Sequence, residues 1–355
     1  MKKKCWYFAV RRWWIKSTHW EYWPIWLVYL PVSFYYLYLA VKARSFFFFS
    51  ASNPSIETGG VFFESKWAIF ELIPPNYFPT TIYVGEDSNL HHILQQMEAR
   101  QLSFPLIAKP DRGERGWCVQ KIHSIAELDS YRANTNIPFL LQAYVNQPLE
   151  FSVFYYRHPN SNKGRVTSVT FKQLLSVTGN GQSTIEELIL QNDRAFLQYP
   201  KLQQNREVNL ASIPSPGQEV VLVPYGNHVR GAKFLNYNHI ITPQLNQSFD
   251  TISQQINGFY FGRFDLRCNS ITDLQQGKNI AILELNGAGA EPAHIYDPQF
   301  SFFTAERVIA QHYRMMYDAA IANRKKGVAY MTYREFKQTK RAEKAFKQKV
   351  APQLL

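Results

Sequence analysis

The chain divides into blocks by its apolar and polar positions. Pro24 to Val41, PIWLVYLPVSFYYLYLAV, is an uncharged run of 18 residues, at the short end for a helix that crosses a bilayer. Tyr and Trp recur through and around it, and both favour the membrane–water interface. Turns follow at Asn53-Pro54 and Gly59-Gly60, then a strand at Thr81 to Val84. Asp87 or Ser88 is placed to cap a helix reaching about Arg100, with Leu90, Ile93, Leu94 and Met97 along one face. FPLIAKPDRGERGWCV, Phe104 to Val119, reads as strand, glycine-rich loop, strand. Further strands are predicted at Phe139–Val145, from Glu150 (EFSVFYY), and around Lys172. S-x-x-E patterns at Ser124/Glu127 and Ser183/Glu186 predict two helices opened by capping boxes. Gln191–Pro216 reads as a polar surface insertion. A helix from Thr304 to Arg324 closes this body.

Gly258 to His294 carries the sharpest signal. Two apolar runs, FYFGRFDLR and NIAILELN, flank a polar loop and read as buried strands, yet they contain Arg263, Asp265, Glu284 and Asn286. Strand side chains alternate faces, so Arg263 shares a face with Asp265 and Glu284 with Asn286. If the strands are neighbours, these faces converge. Two carboxylates and an amide oxygen are hard ligands suited to Mg²⁺ held with nucleotide phosphates, and the arginine adds a fixed cation. The competing account is an ordinary amphipathic hairpin with solvated polar residues, against which the apolar flanks argue.

Charge changes the picture less than its total of +12 suggests. Residues 1–50 carry eight Lys/Arg against Glu21, and residues 321–355 carry ten against Glu335 and Glu343, leaving the middle of the chain slightly acidic. Basic tails suit an anionic membrane surface better than a basic groove, and no nucleic-acid-binding motif is present. Cys5, Cys118 and Cys268 are far apart, with neither a disulfide framework nor metal-ligand spacing. The tail TYREFKQTKRAEKAFKQKV predicts a helix with Phe336, Thr339, Ala342, Phe346 and Val350 on one weakly apolar stripe, either interfacial or simply solvated.

R-x-D on one strand and E-x-N on the next resemble the metal-binding end of ATP-grasp ligases. Ala108-Lys109-Pro110, the glycine-rich loop, LLQAYV and Glu150 follow the same family order, so the resemblance covers about Phe104 to Pro298. It implies an α+β fold in which two subdomains with antiparallel sheets clasp ATP. It implies ATP contacts at Lys109, Gly113, Gly116, Gln142, Ala143, Tyr144, Val145, Glu150 and Lys172. It also implies Mg²⁺ (or Mn²⁺) ligands at Asp265, Glu284 and Asn286, and a catalytic Arg263. G-N-G-x-S-T-I-E-E-L-I, from Gly179, is similar to a segment of cyanophycin synthetases, and D-alanine–D-alanine ligases belong to the same superfamily. The family's chemistry joins a carboxylate to an amine through an acylphosphate. A kinase that stops at phosphorylation and a membrane-anchored ATP-binding sensor or scaffold are the alternatives. Arg230 and Lys233 are candidate contacts for an acidic substrate or solvated charges. Gly287–Ala290 is small enough for an anion nest of backbone N–H groups. His294 is a substrate contact or, by slight preference, a polar surface residue.

The chain is thus expected to comprise a basic, aromatic membrane-associating segment (1–50), a short lobe (51–100), a catalytic domain (101–320) and a basic C-terminal helix (321–355). The lobe is shorter than that of D-alanine–D-alanine ligases, which weakens that particular substrate. Six basic residues before the apolar run keep the N-terminus inside, while ATP chemistry keeps the catalytic domain there too. A segment that lies along the interface, or re-enters with a bend near Pro31, satisfies both and places the protein on the cytoplasmic face of the cell membrane. An aromatic lobe packed on the enzyme is the other reading.

Overall fold

A computed structural model describes residues 2–350 except 115, 205–207 and 225; side chains are described from residue 6, so that of Cys5 lies outside. The chain opens with helices α1 (Lys2–Thr18), α2 (Ile25–Ala43) and α3 (Lys66–Leu72). Strand β1 (Thr81–Val84), helix α4 (Leu90–Ala99), strands β2 (Leu106–Pro110) and β3 (Gln120–Ile122), helix α5 (Ile125–Asn134) and strand β4 (Phe139–Ala143) follow. These strands form an antiparallel four-stranded sheet in the order β1-β4-β2-β3. Ile93 and Met97 of α4, and Leu128 and Tyr131 of α5, bury against its Ile82, Leu106, Ile122 and Leu141.

Next come β5 (Leu149–Tyr156) and β6 (Arg165–Gln173). A side unit holds β7 (Leu175–Thr178), α6 (Ile185–Gln191), α7 (Asp193–Leu202) and β8 (Glu219–Val223), with β7 paired to β8. The main line resumes with β9 (Lys233–Asn236), α8 (Pro243–Gln254), β10 (Phe261–Cys268), α9 (Ile271–Gln276) and β11 (Ile280–Asn286). The second antiparallel sheet has the order β11-β10-β5-β6-β9. Helices α10 (Phe302–Lys325) and α11 (Tyr333–Gln348) end the described chain.

Period-two alternation gives the five-stranded sheet two unlike faces. Phe151, Val153, Tyr155, Phe264 and Leu266 point to a core closed by Leu245, Phe249 and Ile252 of α8. Glu150, Ser152, Lys172, Arg263, Asp265 and Arg267 stand on the other face, toward the four-stranded sheet.

Several local expectations shift. Asn89, not Asp87 or Ser88, caps α4, its side chain accepting from the His92 N–H at 2.8 Å. The box before α6 is Thr184/Glu187, one residue beyond Ser183/Glu186. Ser124 caps α5, but Glu127 reaches back to the His123 N–H rather than closing a box. Gln191–Pro216 is not merely a polar insertion: it contains α7, with Arg194, Ala195, Phe196 and Leu202 buried. Val350 is buried, while Phe336 and Phe346 of α11 pack on Phe47, Phe62, Phe63 and Trp117, so the tail's stripe meets protein.

Helix α2 runs unbroken through Pro31. It buries Val28, Val32, Leu39 and Ala40, with Leu39 and Ala40 sharing a cluster with Met316 and Ala320 of α10, and leaves Trp26, Leu30, Phe34, Leu37 and Val41 exposed. Glu21 ties the N-terminal helices down: its carboxylate pairs with Arg194 at 2.5 Å and His228 at 2.9 Å, all three largely buried.

Candidate functional site

Between the two sheets lies a cleft of about 1090 Å³, counted to its open mouth. Lys109 is the penultimate residue of β2, just before Pro110, and reaches across the gap. Its Nζ donates to Gln142 Oε1 at 2.9 Å and to the Leu283 carbonyl on the opposite sheet at 3.0 Å, over the Phe70 ring. Burial pushes its pKa down to about 8, a nearby Glu284 only partly opposing this.

The glycine-rich loop closes one side. Gly113 and Gly116 both take positive φ, +130° and +74°, and a Cβ at Gly113 would sit 2.8 Å from the Trp117 ring. At the back, Gln142, Ala143, Tyr144 and Val145 form the edge where β4 leaves its sheet. Glu150 accepts from Arg267 Nη2 at 3.0 Å and lies 3.3 Å from Lys172 Nζ.

On the floor, the strands pair as the alternation required. Arg263 stands opposite Asn286 and Asp265 opposite Glu284, with a bulge immediately after. The Arg263 guanidinium grips Asp265 with two N–H donors, at 3.0 and 2.9 Å. Lys172 Nζ lies 3.3 Å from the same carboxylate, the Ser152 hydroxyl donates to it at 2.5 Å, and the Asn286 amide at 3.2 Å. Burial raises the Asp265 pKa, but Arg263 and Lys172 overcome it and hold the carboxyl well below the usual range. Glu284 is the more open of the two, 38% exposed, with Lys66 Nζ 3.9 Å away.

Asp265, Glu284 and Asn286 form a donor set of carboxylate and amide oxygens on two adjacent strands, which suits a hard divalent cation. Asn286 gives its N–H to Asp265, leaving its amide oxygen as the acceptor a cation would use. Among the described residues there is no cluster of three or more His, Cys, Asp or Glu, so such a cation would complete its shell from substrate oxygens or water.

All nine residues assigned to ATP line this one cleft, with Asp265 and Glu284. Asn286 lines an adjoining pocket that shares Gly113 and Glu114 with the cleft. Arg230 and Lys233 do not line it. Lys172 faces Phe234 across β6 and β9, so neighbouring Lys233 points to the opposite side, beside Arg194. Gly226 and Asn227 line the cleft instead. The nest at Gly287–Ala290 is also corrected. The N–H groups of Ala288 and Gly289 donate to the Gly59 and Gly60 carbonyls at 2.8 and 2.7 Å, and that of Ala290 to Gly287 at 3.0 Å. Gly287 packs there because a Cβ would meet the Gly59 oxygen at 2.4 Å. His294 is buried rather than at the surface, and burial depresses its pKa to about 4.

Three contributors escaped sequence reading. Ser65 caps α3 and, with the Trp67 N–H, bonds the buried Asp111 carboxylate, which aims Lys66 into the cleft. A lysine in the first turn of a helix, where the macrodipole opposes it, was the available signal. Arg267 and Ser152 were legible as two-residue extensions of R-x-D and from Glu150.

No family profile matches the chain, and no characterised protein sequence does. Among solved structures it is similar to a bifunctional glutathione synthetase from Pasteurella multocida (14% identity, 71% of this chain and 35% of that one, TM-score 0.40). It is also similar to the VanG D-Ala:D-Ser ligase of Enterococcus faecalis (13%, 72% and 60%, 0.40). A third is the D-alanine–D-alanine ligase of Bacillus anthracis (12%, 74% and 68%, 0.42). The chain thus spans about a third of the first and three fifths of the second.

Proposed function

We propose that the chain is an ATP-grasp enzyme, an ATP- and Mg²⁺-dependent ligase that joins a carboxylate to an amine. One observation carries this reading: Lys109, Lys172, Asp265 and Glu284, from two antiparallel sheets, line one cleft, Asn286 lines the adjoining pocket, and Arg263 stands beside them, gripping Asp265. A carboxylate would attack the γ-phosphorus of ATP, releasing ADP, and an amine would then displace phosphate from the acylphosphate. When bound, Mg²⁺ supplies charge neutralisation on the phosphates, and Asp265, Glu284 and Asn286 would hold it. Lys109 and Lys172 present their amino groups in the cleft, and Gly113 and Gly116 let backbone approach the phosphates. Gln142–Val145 and Glu150 are the adenine and ribose side. Arg263, already fixed by Asp265 and the Glu291 carbonyl, stabilises charge without reorganising. Incubating the purified chain with ATP, Mg²⁺ and a metabolite extract should yield ADP, phosphate and a new condensed mass. ATP left intact across such extracts would overturn the reading.

Lys109 gives a prediction with a sign. Its depressed pKa means the cation is present at pH 7 and lost as pH rises through about 8. Nucleotide affinity should therefore hold to about pH 8 and then fall, by up to about tenfold per pH unit. Lys109→Ala should weaken ATP binding by about 1.5–3 kcal/mol at pH 7 and flatten that profile. Calorimetric titrations from pH 6.5 to 9.5 read both; a flat wild-type profile would count against phosphate contact by Lys109.

The same reading puts α1 and the outer face of α2 on an anionic membrane, at the cytoplasmic side where ATP is. Trp6, Trp13, Trp14, Trp26 and Phe34 are each more than 60% exposed, beside a strongly basic N-terminus. Because Leu39, Phe48 and Phe49 of this segment belong to the core, surface substitutions test it better than deletion of 1–50. Replacing Trp6, Trp13 and Trp14 by serine should abolish flotation with anionic vesicles at unchanged melting temperature. Flotation persisting in that variant would remove the membrane role of α1.

A further inference from the structure

The Arg263 guanidinium is oriented from two directions. On the side of the cleft, its Nε and Nη2 donate to Asp265 at 3.0 and 2.9 Å. On the other side, Nη1 donates to the Glu291 carbonyl at 2.9 Å, just past the turn whose N–H groups dock on Gly59 and Gly60. The plane of the guanidinium therefore depends on where Glu291 sits. Burial disfavours the Arg263 cation, but Asp265, then Glu284 and Glu291, more than offset it.

Glu291 is held in turn by the N-terminal segment. Its carboxylate accepts from two hydroxyls, that of Tyr29 on α2 at one oxygen and that of Tyr296 at the other, the latter at 2.8 Å. Tyr296 is itself braced from the same segment. The Trp20 ring stacks on it with centroids 5.6 Å apart, and Trp20 Nε1 donates to the Phe300 carbonyl at 2.8 Å. Residues 20–29 thus supply one donor to Glu291 and brace the other. A hydrogen-bonded line runs from α2 through Glu291 to Arg263 and on to Asp265. A cation stabilises developing charge best when it is already in place, and a misplacement of about 1 Å can cost about 10²-fold in rate.

We propose that Tyr29 and Tyr296, acting through Glu291, are positioning residues for Arg263, which makes the aromatic N-terminal segment part of the catalytic apparatus. The inference rests on the ligase reading. Its test uses the full chain with isotope-labelled arginine, and Tyr29→Phe and Tyr296→Phe, which each delete one hydroxyl and keep the ring. The Arg263 guanidinium resonances are assigned by their loss in Arg263→Lys. In the wild type, hindered rotation should keep its Nη signals apart. In each variant they should merge, while those of Arg267, held by Glu150 and the Val145 carbonyl, stay as they were. With ATP, Mg²⁺ and the metabolite extract, kcat should fall at least about tenfold while KM for ATP does not change. Either variant suffices if the other fails to fold. Arg263 signals unaltered in a folded variant would overturn the proposal, as would full kcat alongside merged signals. Merged signals in a chain that turns over no ATP would instead remove the ligase reading, and with it the catalytic role of this line of contacts.

Discussion

Glu284→Gln should lower ATP turnover at least about 10²-fold while leaving the melting temperature where it is. The variant removes one anionic oxygen ligand, worth several kcal/mol of transition-state charge stabilisation. Glu284 is partly exposed and its only ion-pair contact among the described residues, Lys66, is at 3.9 Å, so the fold loses little. Asp265→Asn should lose turnover equally but also lose stability. It leaves Arg263 and Lys172 buried around a neutral group, and breaking a buried pair costs about 3–5 kcal/mol. The contrast separates ligand from structural loss. Normal turnover in Glu284→Gln would sink the metal-site assignment; equal melting temperatures in both variants would show that Asp265 does not anchor its cations.

Arg194→Ala carries the second large effect, far from the cleft. Among the described residues it leaves the buried Glu21 carboxylate with only His228 as an ion-pair partner, at a cost of about 3–5 kcal/mol. Because Glu21 sits between α1 and α2, the loss should appear first as opening of residues 1–23, read by hydrogen exchange or limited proteolysis. The wild type should show a milder form in acid. Burial raises the Glu21 pKa, but His228 and Arg194 more than reverse this, so it lies below the ordinary 4.5. The pair's stabilisation is therefore complete above that value and is lost as pH falls through the lowered one. Exchange in α1 that is insensitive to pH between 6 and 3, or to Arg194→Ala, would mean other contacts hold these helices.

Legibility followed the range of the interaction concerned. Arg263 and Asp265, or Glu284 and Asn286, could be placed on shared faces because strand alternation is local, and their convergence needed only the two strands to be neighbours. Cap positions slipped by a residue or two, at Asn89 and Thr184, since several Ser, Thr, Asn or Asp side chains compete for one helix start. Lys66 was missed because its role depends on Asp111, 45 residues later, turning α3 toward the cleft.

By itself, the sequence determined the alternating strands, the polar face of the 258–294 hairpin, the glycine-rich loop and the basic aromatic N-terminus, all properties of neighbours along the chain. Tertiary structure decided what those features meet. Strand pairing turned Lys233 away from the cleft while Lys172 entered it. The close approach of Gly59-Gly60 consumed the N–H groups of Ala288 and Gly289 that would have bound an anion. Packing of α2 against α10 buried one side of an apolar helix and opened a groove along it. Each outcome depends on which backbone donors and which faces are still unspent after distant segments dock, and no local pattern records that.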